Sequence, residues 1–139
     1  MKTLLLQASS NSQGNTNKII HFINHDKVFD VMDLRGKKIG HFDYDFKNKE
    51  DDFIGLMEDI IVSYDTIVFV TPVYWFTMSG ILKVFLDRFS DLLKTRKDLG
   101  RKLRGKRMAM ISNSGEYNLK DCFTMPFEET ATYLGMEYL

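Results

Sequence analysis

The stretch from Thr66 to Arg88 constrains the fold of this chain more than any other. Ile67 to Val70 is an unbroken apolar run of β-branched and aromatic residues, which is typical of a strand covered on both faces in a parallel sheet. Proline cannot donate to a sheet ladder, so this strand is expected to stop at Thr71-Pro72. The stretch therefore predicts a buried central strand that runs into an exposed connection.

That connection contains three aromatic residues and leads into a helix. Ser79 and Gly80 resemble a helix opening, and apolar residues then recur at helical spacing as far as Phe89. The aromatic residues are Tyr74, Trp75 and Phe76. The order strand, aromatic loop, helix places this loop at the carboxyl end of the strand, where open α/β sheets bind their ligands.

Composition limits the classes of protein to consider. The 139 residues predict a single domain, 1–139, and 19 basic against 19 acidic residues argue against a dedicated nucleic-acid or membrane-surface binder. Cys122 is the only cysteine, which excludes an intramolecular disulfide and a cysteine cluster for zinc or iron–sulfur and fits a reducing cytoplasm. The apolar run near Met1 is too short for a signal peptide, so we expect a soluble cytoplasmic protein.

The segment from Ser9 to Thr16 follows a first predicted strand, Thr3 to Ala8, and leads into a helix that begins near Asn15. A helix amino terminus offers free N–H groups and a positive dipole end, and serine and threonine hydroxyls add donors, so this loop suits a phosphate. An ordinary capped loop explains the same residues equally well. The loop has neither a Walker lysine nor G-x-G-x-x-G, which disfavours triphosphate hydrolysis and the usual dinucleotide fingerprint.

The middle of the chain predicts an edge strand, a long connection and a helix. Lys27 to Leu34 alternates as a strand, Arg35 to Lys49 is irregular, and Glu50 to Tyr64 has apolar residues at helical spacing. Metal ligands within the connection are conceivable, but the alternation also fits buried aromatics beside solvated acids, and no metal is expected. The residues concerned are His41, Asp43 and Asp45.

The segment from Leu92 to Arg107 carries eight basic residues against a lone acid, Asp98. A helix end with a connecting loop is one interpretation, and a landing site for an anionic cosubstrate is the other. Met108 to Ser112 then predicts a fourth strand. A second small polar loop follows at its carboxyl end, from Asn113 to Asn118.

The final residues predict a helix and the beginning of a fifth strand. Leu119 to Leu134 reads as a helix that starts or kinks near Pro126, with Gly135 at its C-cap. Strands thus alternate with helices four times, which indicates a doubly wound parallel α/β sheet. In the flavodoxin-like order 2-1-3-4-5 the first two ligand loops become neighbours at the switch point.

Two motifs carry a resemblance to a known family. TPVYWFTMSGILKVFLDR, from Thr71 to Arg88, and ASSNSQGNT, from Ala8 to Thr16, resemble the NADPH-dependent FMN reductases and related flavodoxin-like NAD(P)H oxidoreductases. The resemblance implies that the first loop binds the FMN phosphate, the aromatic loop carries the isoalloxazine and the third loop follows the ring edge. The implied cofactor-binding residues are Ser9, Ser10, Asn11, Ser12, Asn15, Thr16, Pro72, Val73, Tyr74, Trp75, Phe76, Asn113, Ser114, Gly115 and Glu116.

The resemblance also implies an activity: hydride passes from NAD(P)H through bound FMN to a small acceptor such as a flavin, quinone, azo or nitro compound. The alternative is a flavodoxin-type FMN carrier without NAD(P)H activity of its own. No acid–base catalytic side chain is expected, because the flavin supplies the redox chemistry. Relative to the family, the fifth strand and last helix are expected to be truncated, and a homodimer or higher homo-oligomer is expected.

Overall fold

The computed structural model of the chain describes residues 1–115 and 119–139. Within them, all neighbouring strands of one sheet are parallel and follow the order β2-β1-β3-β4-β5. This confirms the predicted flavodoxin-like, doubly wound α/β fold. The strands are Thr3–Gln7 (β1), Asp30–Asp33 (β2), Thr66–Pro72 (β3), Arg107–Asn113 (β4) and Glu137–Tyr138 (β5).

Helices fill the connections between these strands. They are Asn15–Ile23 (α1), Asp52–Ser63 (α2), Gly80–Asp87 (α3), Phe89–Lys94 (α4), Lys97–Arg101 (α5) and Met125–Leu134 (α6), with 3₁₀ turns at Leu34–Gly36 and Asp121–Phe123. Pro126 lies in the first turn of α6, where its missing N–H costs no hydrogen bond. Gly135 ends that helix at a φ of 70°, as predicted for a left-handed C-cap.

The sheet separates two apolar layers because successive strand residues point to opposite faces. On one face, Leu5, Val68 and Val70 cluster with Ile20 of α1. On the other, Phe69 packs against Phe85 of α3, and the larger core continues through α2 and α6. β3 is buried along its whole length, as its apolar run predicts, and it ends at Pro72.

β5 is present but short. Its two residues pair with Arg107 and Met108 at the beginning of β4. The predicted fifth strand is therefore a two-residue element that pairs only with the start of β4.

The basic segment forms helices α4 and α5 rather than a simple connecting loop. It leads into Arg107, the first residue of β4, whereas the polar loop follows Asn113 at the other end of the same seven-residue strand. With a rise of about 3.3 Å per residue, the two ends lie roughly 20 Å apart. The segment therefore lies at the opposite edge of the sheet from the predicted ligand loops, which favours the structural interpretation of its charge.

A buried arginine fixes the connection between β2 and α2. The Arg88 side chain is 1% exposed and pairs with Asp51 and, at 2.8 Å, with Asp91. Its guanidinium also donates to the carbonyl oxygens of Gly40 and Asn48, each at 3.1 Å. One side chain thus satisfies several polar groups of a connection without regular secondary structure.

In the described parts of the chain, no helix is long and apolar enough to cross a membrane.

Candidate active site

Three loops meet at the carboxyl edge of the sheet, and hydrogen bonds join them directly. The Thr16 hydroxyl donates to Oδ1 of Asn113 at 2.8 Å, which links the start of α1 to the end of β4. The backbone N–H of Val73 donates to the Asn113 carbonyl at 3.0 Å. The Ser79 hydroxyl donates to the Ala8 carbonyl at 2.5 Å. The loops that follow β1, β3 and β4 therefore form one continuous surface.

The first loop is folded tightly against its own backbone. The Ser9 Oγ accepts from the Asn11 N–H at 3.2 Å, and the Gly14 N–H donates to the Asn11 carbonyl at 3.1 Å. A Cβ at Gly14 would lie 3.3 Å from that carbonyl, so the close approach favours glycine. Gly14 is also the N-cap of α1 and offers no side chain to its first turn. The amide groups and positive dipole end of α1 are therefore available to a phosphate.

Gln7, which the sequence did not single out, holds this loop in place. Its side chain is buried at the end of β1, and its Nε2 donates to the Ser12 carbonyl at 3.1 Å. Its Oε1 accepts from Asn17 Nδ2 at 3.3 Å, which connects the loop to α1. The sequence did contain a signal for this role: Gln7 ends a mostly apolar strand, and a buried amide almost always has hydrogen-bond partners.

The aromatic loop turns through two residues in an unfavourable backbone conformation. Tyr74 N–H donates to the Thr77 carbonyl at 2.9 Å, and Thr77 N–H donates back at 3.2 Å. Between them, Trp75 and Phe76 have φ values of 49° and 66°. Two central residues with positive φ are typical of a type I′ turn, which strongly prefers Asn-Gly. Bulky aromatics there store strain, which proteins retain mainly at functional sites.

The same turn presents its two aromatic side chains outward. Trp75 is 92% exposed and Phe76 is 68% exposed. Both line a cavity of about 320 Å³ together with Val73, Ser114 and Leu119. A lining of two aromatic and two aliphatic residues with the polar Ser114 suits a flat ligand with an apolar face and a polar edge.

Tyr74 connects the aromatic loop to the first loop. Hydrogen bonds with Ser9, and then with Ser10, lower the pKa of its hydroxyl, although partial burial opposes the shift. Hydrogen bonds to the phenolate oxygen favour the ionised form, which accounts for the direction. The Tyr74 hydroxyl therefore lies beside Ser9 and Ser10 of the phosphate-type loop.

The structure brings most of the predicted binding residues to this edge. Pro72 is buried at the end of β3, Asn15 is exposed at the start of α1, and Ser114 and Gly115 are exposed beyond β4. Glu116, which the resemblance also implicated, lies outside the described residues. Sequence reasoning also missed Thr71, whose buried Oγ1 accepts from the Ser79 N–H at 3.1 Å and so fixes the exit of the aromatic loop.

Two of the residues considered as metal ligands, Asp43 and Asp45, contact groups of the connection itself. The Asp43 carboxylate accepts from the backbone N–H groups of Asp45, at 2.9 Å, and Lys47, at 3.1 Å, and so caps a turn. The described ranges 1–115 and 119–139 contain no group of three His, Cys, Asp or Glu side chains arranged to hold a metal ion.

A parallel sheet in the order 2-1-3-4-5, with a phosphate-type loop and an aromatic wall at its switch point, defines a flavodoxin-like protein with an edge suited to a flavin nucleotide. The model of the NADPH-dependent FMN reductase family matches residues 1–122. The chain belongs to this family. It is an NAD(P)H-dependent flavin oxidoreductase with FMN as its cofactor.

Known proteins resemble the chain over nearly its whole length. YwqN of Bacillus subtilis (strain 168), provisionally named an NAD(P)H-dependent FMN-containing oxidoreductase, is 27% identical over 99% of this chain and 81% of its own. General stress protein 14 of Treponema denticola, solved with FMN, superimposes with a TM-score of 0.68 at 21% identity, covering 100% of this chain and 83% of its own. FerB of Paracoccus denitrificans, an NAD(P)H:(acceptor) oxidoreductase, gives a TM-score of 0.75 at 15% identity, covering 100% and 75%. These two structures support the fold.

Proposed function

We propose that the enzyme passes hydride from NAD(P)H through bound FMN to a small, diffusible acceptor, of the flavin, quinone, azo or nitro type. The observation that carries the proposal is the junction of the three loops at Asn113, which accepts from the Thr16 hydroxyl at 2.8 Å and from the Val73 N–H at 3.0 Å, in a chain of the FMN reductase family. When bound, FMN supplies the electron transfer itself. The protein's part is to hold the cofactor, to exclude water from one face and to leave the other accessible.

The first loop fits the phosphate of FMN. Gly14 leaves the first turn of α1 without a side-chain cap, so its amides would donate to phosphate oxygens at the positive end of the helix dipole. The hydroxyls of this loop would add further donors. We assign the binding of the FMN phosphate to Ser9, Ser10, Asn11, Ser12, Asn15 and Thr16.

The other two loops fit the ring system. Val73, Trp75 and Phe76 line the cavity beside β4, and their apolar surfaces suit the flat ring. Asn113, Ser114 and Gly115 would border its polar edge, and we include Pro72, Tyr74 and Glu116 in the same proposal. Tyr74 acts here by positioning the loops, through its contacts with Ser9 and Ser10, and no side chain is assigned an acid–base role.

FMN binding to the purified protein tests this assignment. Quenching of flavin fluorescence on titration, together with visible absorbance that persists through gel filtration, is the expected result. A protein that neither carries nor binds FMN would refute the proposal. Steady-state oxidation of NADPH with an artificial acceptor then distinguishes the enzyme from a flavodoxin-type carrier, which would show none.

We propose further that the chain is a single domain, 1–139, and that it works as a homodimer or higher homo-oligomer in the cytoplasm. The outward aromatic side chains Trp75 and Phe76 support association at this edge, because large exposed apolar surfaces often mark protein contacts. The single, exposed Cys122 is compatible with a reducing compartment. Light scattering across a concentration series measures the assembly state, and a monomer throughout would refute the oligomer.

A further inference from the structure

A second cavity opens at the carboxyl edge of the sheet, on the other side of the aromatic loop. Its volume is about 360 Å³, and it lies between the 3₁₀ turn after β2 and the first turns of α3. We call it the basic cavity. Ile39, Ile81 and Val84 form its apolar walls, and Arg35, Lys37 and His41 are its basic residues.

The basic cavity adjoins the proposed FMN site through two residues. Gly80, which borders the cavity, directly follows Ser79, and Ser79 donates to the Ala8 carbonyl at the base of the first loop. Gln7 contacts Asp33, the residue that precedes the 3₁₀ turn, at 3.4 Å. A molecule in this cavity would therefore lie beside the flavin while remaining outside the three loops assigned to it.

Carboxylate partners for the cations of the cavity are absent among residues 1–115 and 119–139. In the described part of the chain, Arg35 and Lys37 form no ion pair, whereas Lys2, Lys83, Arg88, Arg96 and Arg107 all do. The nearest acid along the chain, Asp33, accepts from the Arg35 backbone N–H at 3.0 Å and from Gln7. The cavity therefore carries uncompensated positive charge.

The shape of the connection is fixed before any ligand arrives. Buried Arg88 holds the Gly40 carbonyl at 3.1 Å and pairs with Asp51, which itself accepts from the Gly40 N–H at 2.8 Å. Gly40 lies between Ile39 and His41, two residues of the cavity. A pre-formed site avoids part of the ordering cost that weakens most surface contacts.

We propose that the basic cavity binds the phosphomonoester group of a dissociable nucleotide substrate, distinct from the phosphate of the resident FMN. This inference rests on the proposed function. Two substrates of the reaction carry such a dianion: NADPH, on its 2′-oxygen, and free FMN acting as acceptor. Arg35 and Lys37 are exposed, so each contact alone would contribute little, but a phosphate dianion could accept charge-assisted hydrogen bonds from both cations at once.

The test uses the FMN-loaded enzyme and the double variant Arg35→Glu/Lys37→Glu. Its matched control is Arg101→Glu/Arg104→Glu, which makes the same change of net charge at the opposite edge of the sheet. Apparent KM values are measured for NADPH and NADH with ferricyanide as acceptor, and for FMN and riboflavin with NADH as donor. Calorimetry measures the binding of adenosine 2′,5′-bisphosphate and of AMP independently of turnover.

The expected result is a rise of about tenfold in KM for the phosphorylated member of one pair, with its partner and the control variant unchanged. An effect on NADPH and adenosine 2′,5′-bisphosphate identifies the pyridine nucleotide as the source, and an effect on FMN over riboflavin identifies the acceptor. Arg35→Lys/Lys37→Arg should restore the wild-type ratio. Equal changes within both pairs, or no change, would overturn the proposal. If the wild-type protein does not bind FMN, that result would instead refute the proposed function.

Discussion

Thr16 and Asn113 are 97 residues apart in sequence, yet the hydroxyl of one donates to the side-chain oxygen of the other at 2.8 Å. Thr16 lies in the first turn of α1 and Asn113 ends β4, so the contact joins the proposed phosphate and ring-edge regions. Its loss should affect cofactor binding more than folding.

Thr16→Val removes the hydroxyl with little change in shape and leaves the Asn113 amide without its donor. We expect FMN affinity to fall about tenfold while the free energy of unfolding falls by about 1 kcal/mol. Thr95→Val is the matched control, because Thr95 donates to the Asp91 carbonyl at 3.0 Å on α4, away from the site. Fluorescence titration and urea unfolding measure the two quantities. Equal affinities for the two variants would contradict the assignment.

Relief of strain in the aromatic turn should raise the free energy of unfolding and lower the affinity for FMN. Trp75→Asn/Phe76→Gly introduces the residues that a type I′ turn prefers at positions with φ of 49° and 66°. We expect the FMN-free protein to gain about 1 to 2 kcal/mol of stability, because each strained residue costs on the order of 1 kcal/mol or more and the backbone entropy that glycine loses on folding offsets part of the relief. FMN affinity should fall at the same time because the aromatic wall is lost. A variant less stable than the wild type would show that the side chains stabilise the turn.

Arg88 should be essential for stability, because its buried guanidinium pairs with two carboxylates and also donates to two backbone carbonyl oxygens. Arg88→Met leaves Asp91 buried without its cation, and removing one partner of a buried pair costs about 3 to 5 kcal/mol. Arg96→Met is the control, since Arg96 pairs with Glu58 and Asp98 at the surface, where such pairs contribute about 1 kcal/mol or less. Urea denaturation of both variants measures the difference, and comparable losses would refute it.

Asp51, which pairs with Arg88, should make the free energy of unfolding depend on pH in the acid range. Burial raises the pKa of Asp51, but hydrogen bonds from Arg88 and from the Gly40 and Phe53 N–H groups outweigh it, so the net shift is downward. A depressed pKa in the folded state contributes stability above the unfolded value of about 4, and that contribution is lost as pH falls through the folded value. Asp51→Asn should therefore flatten the acid limb of the unfolding free energy below about pH 4. An unchanged limb would exclude Asp51 as its source.

Much of the fold could be predicted because its signals are local. The apolar run at Ile67 to Val70 required a strand buried on both faces, and Gly135 marked the end of a helix at a left-handed position. The convergence of the three ligand loops follows from strand order alone, since the carboxyl ends of parallel strands share one edge.

What could not be predicted depends on the paths of segments without regular secondary structure. Gln7 gained its role from where Ser12 and Asn17 fold back, and Arg88 from the path of the connection that contains Gly40 and Asn48. The basic segment differs, because the predicted fourth strand already placed Arg101 and Arg104 before its amino end, and so at the far edge of the sheet, although a count of charges alone did not. Arg35 and Lys37, fewer in number, border the edge that matters for chemistry.

The hydrogen bond from Ser79 to the Ala8 carbonyl spans 71 residues and has a consequence for how the protein acquires its cofactor. Closing loops of this length is entropically costly and slows folding, so contacts of high sequence separation tend to form late. The proposed site cannot form from local contacts alone, because β1, β3 and β4 must all be in register before its loops meet. Flavin fluorescence quenching should therefore rise with the slowest phase of refolding, and the cofactor should have little affinity for nascent chains that have not yet reached Asn113.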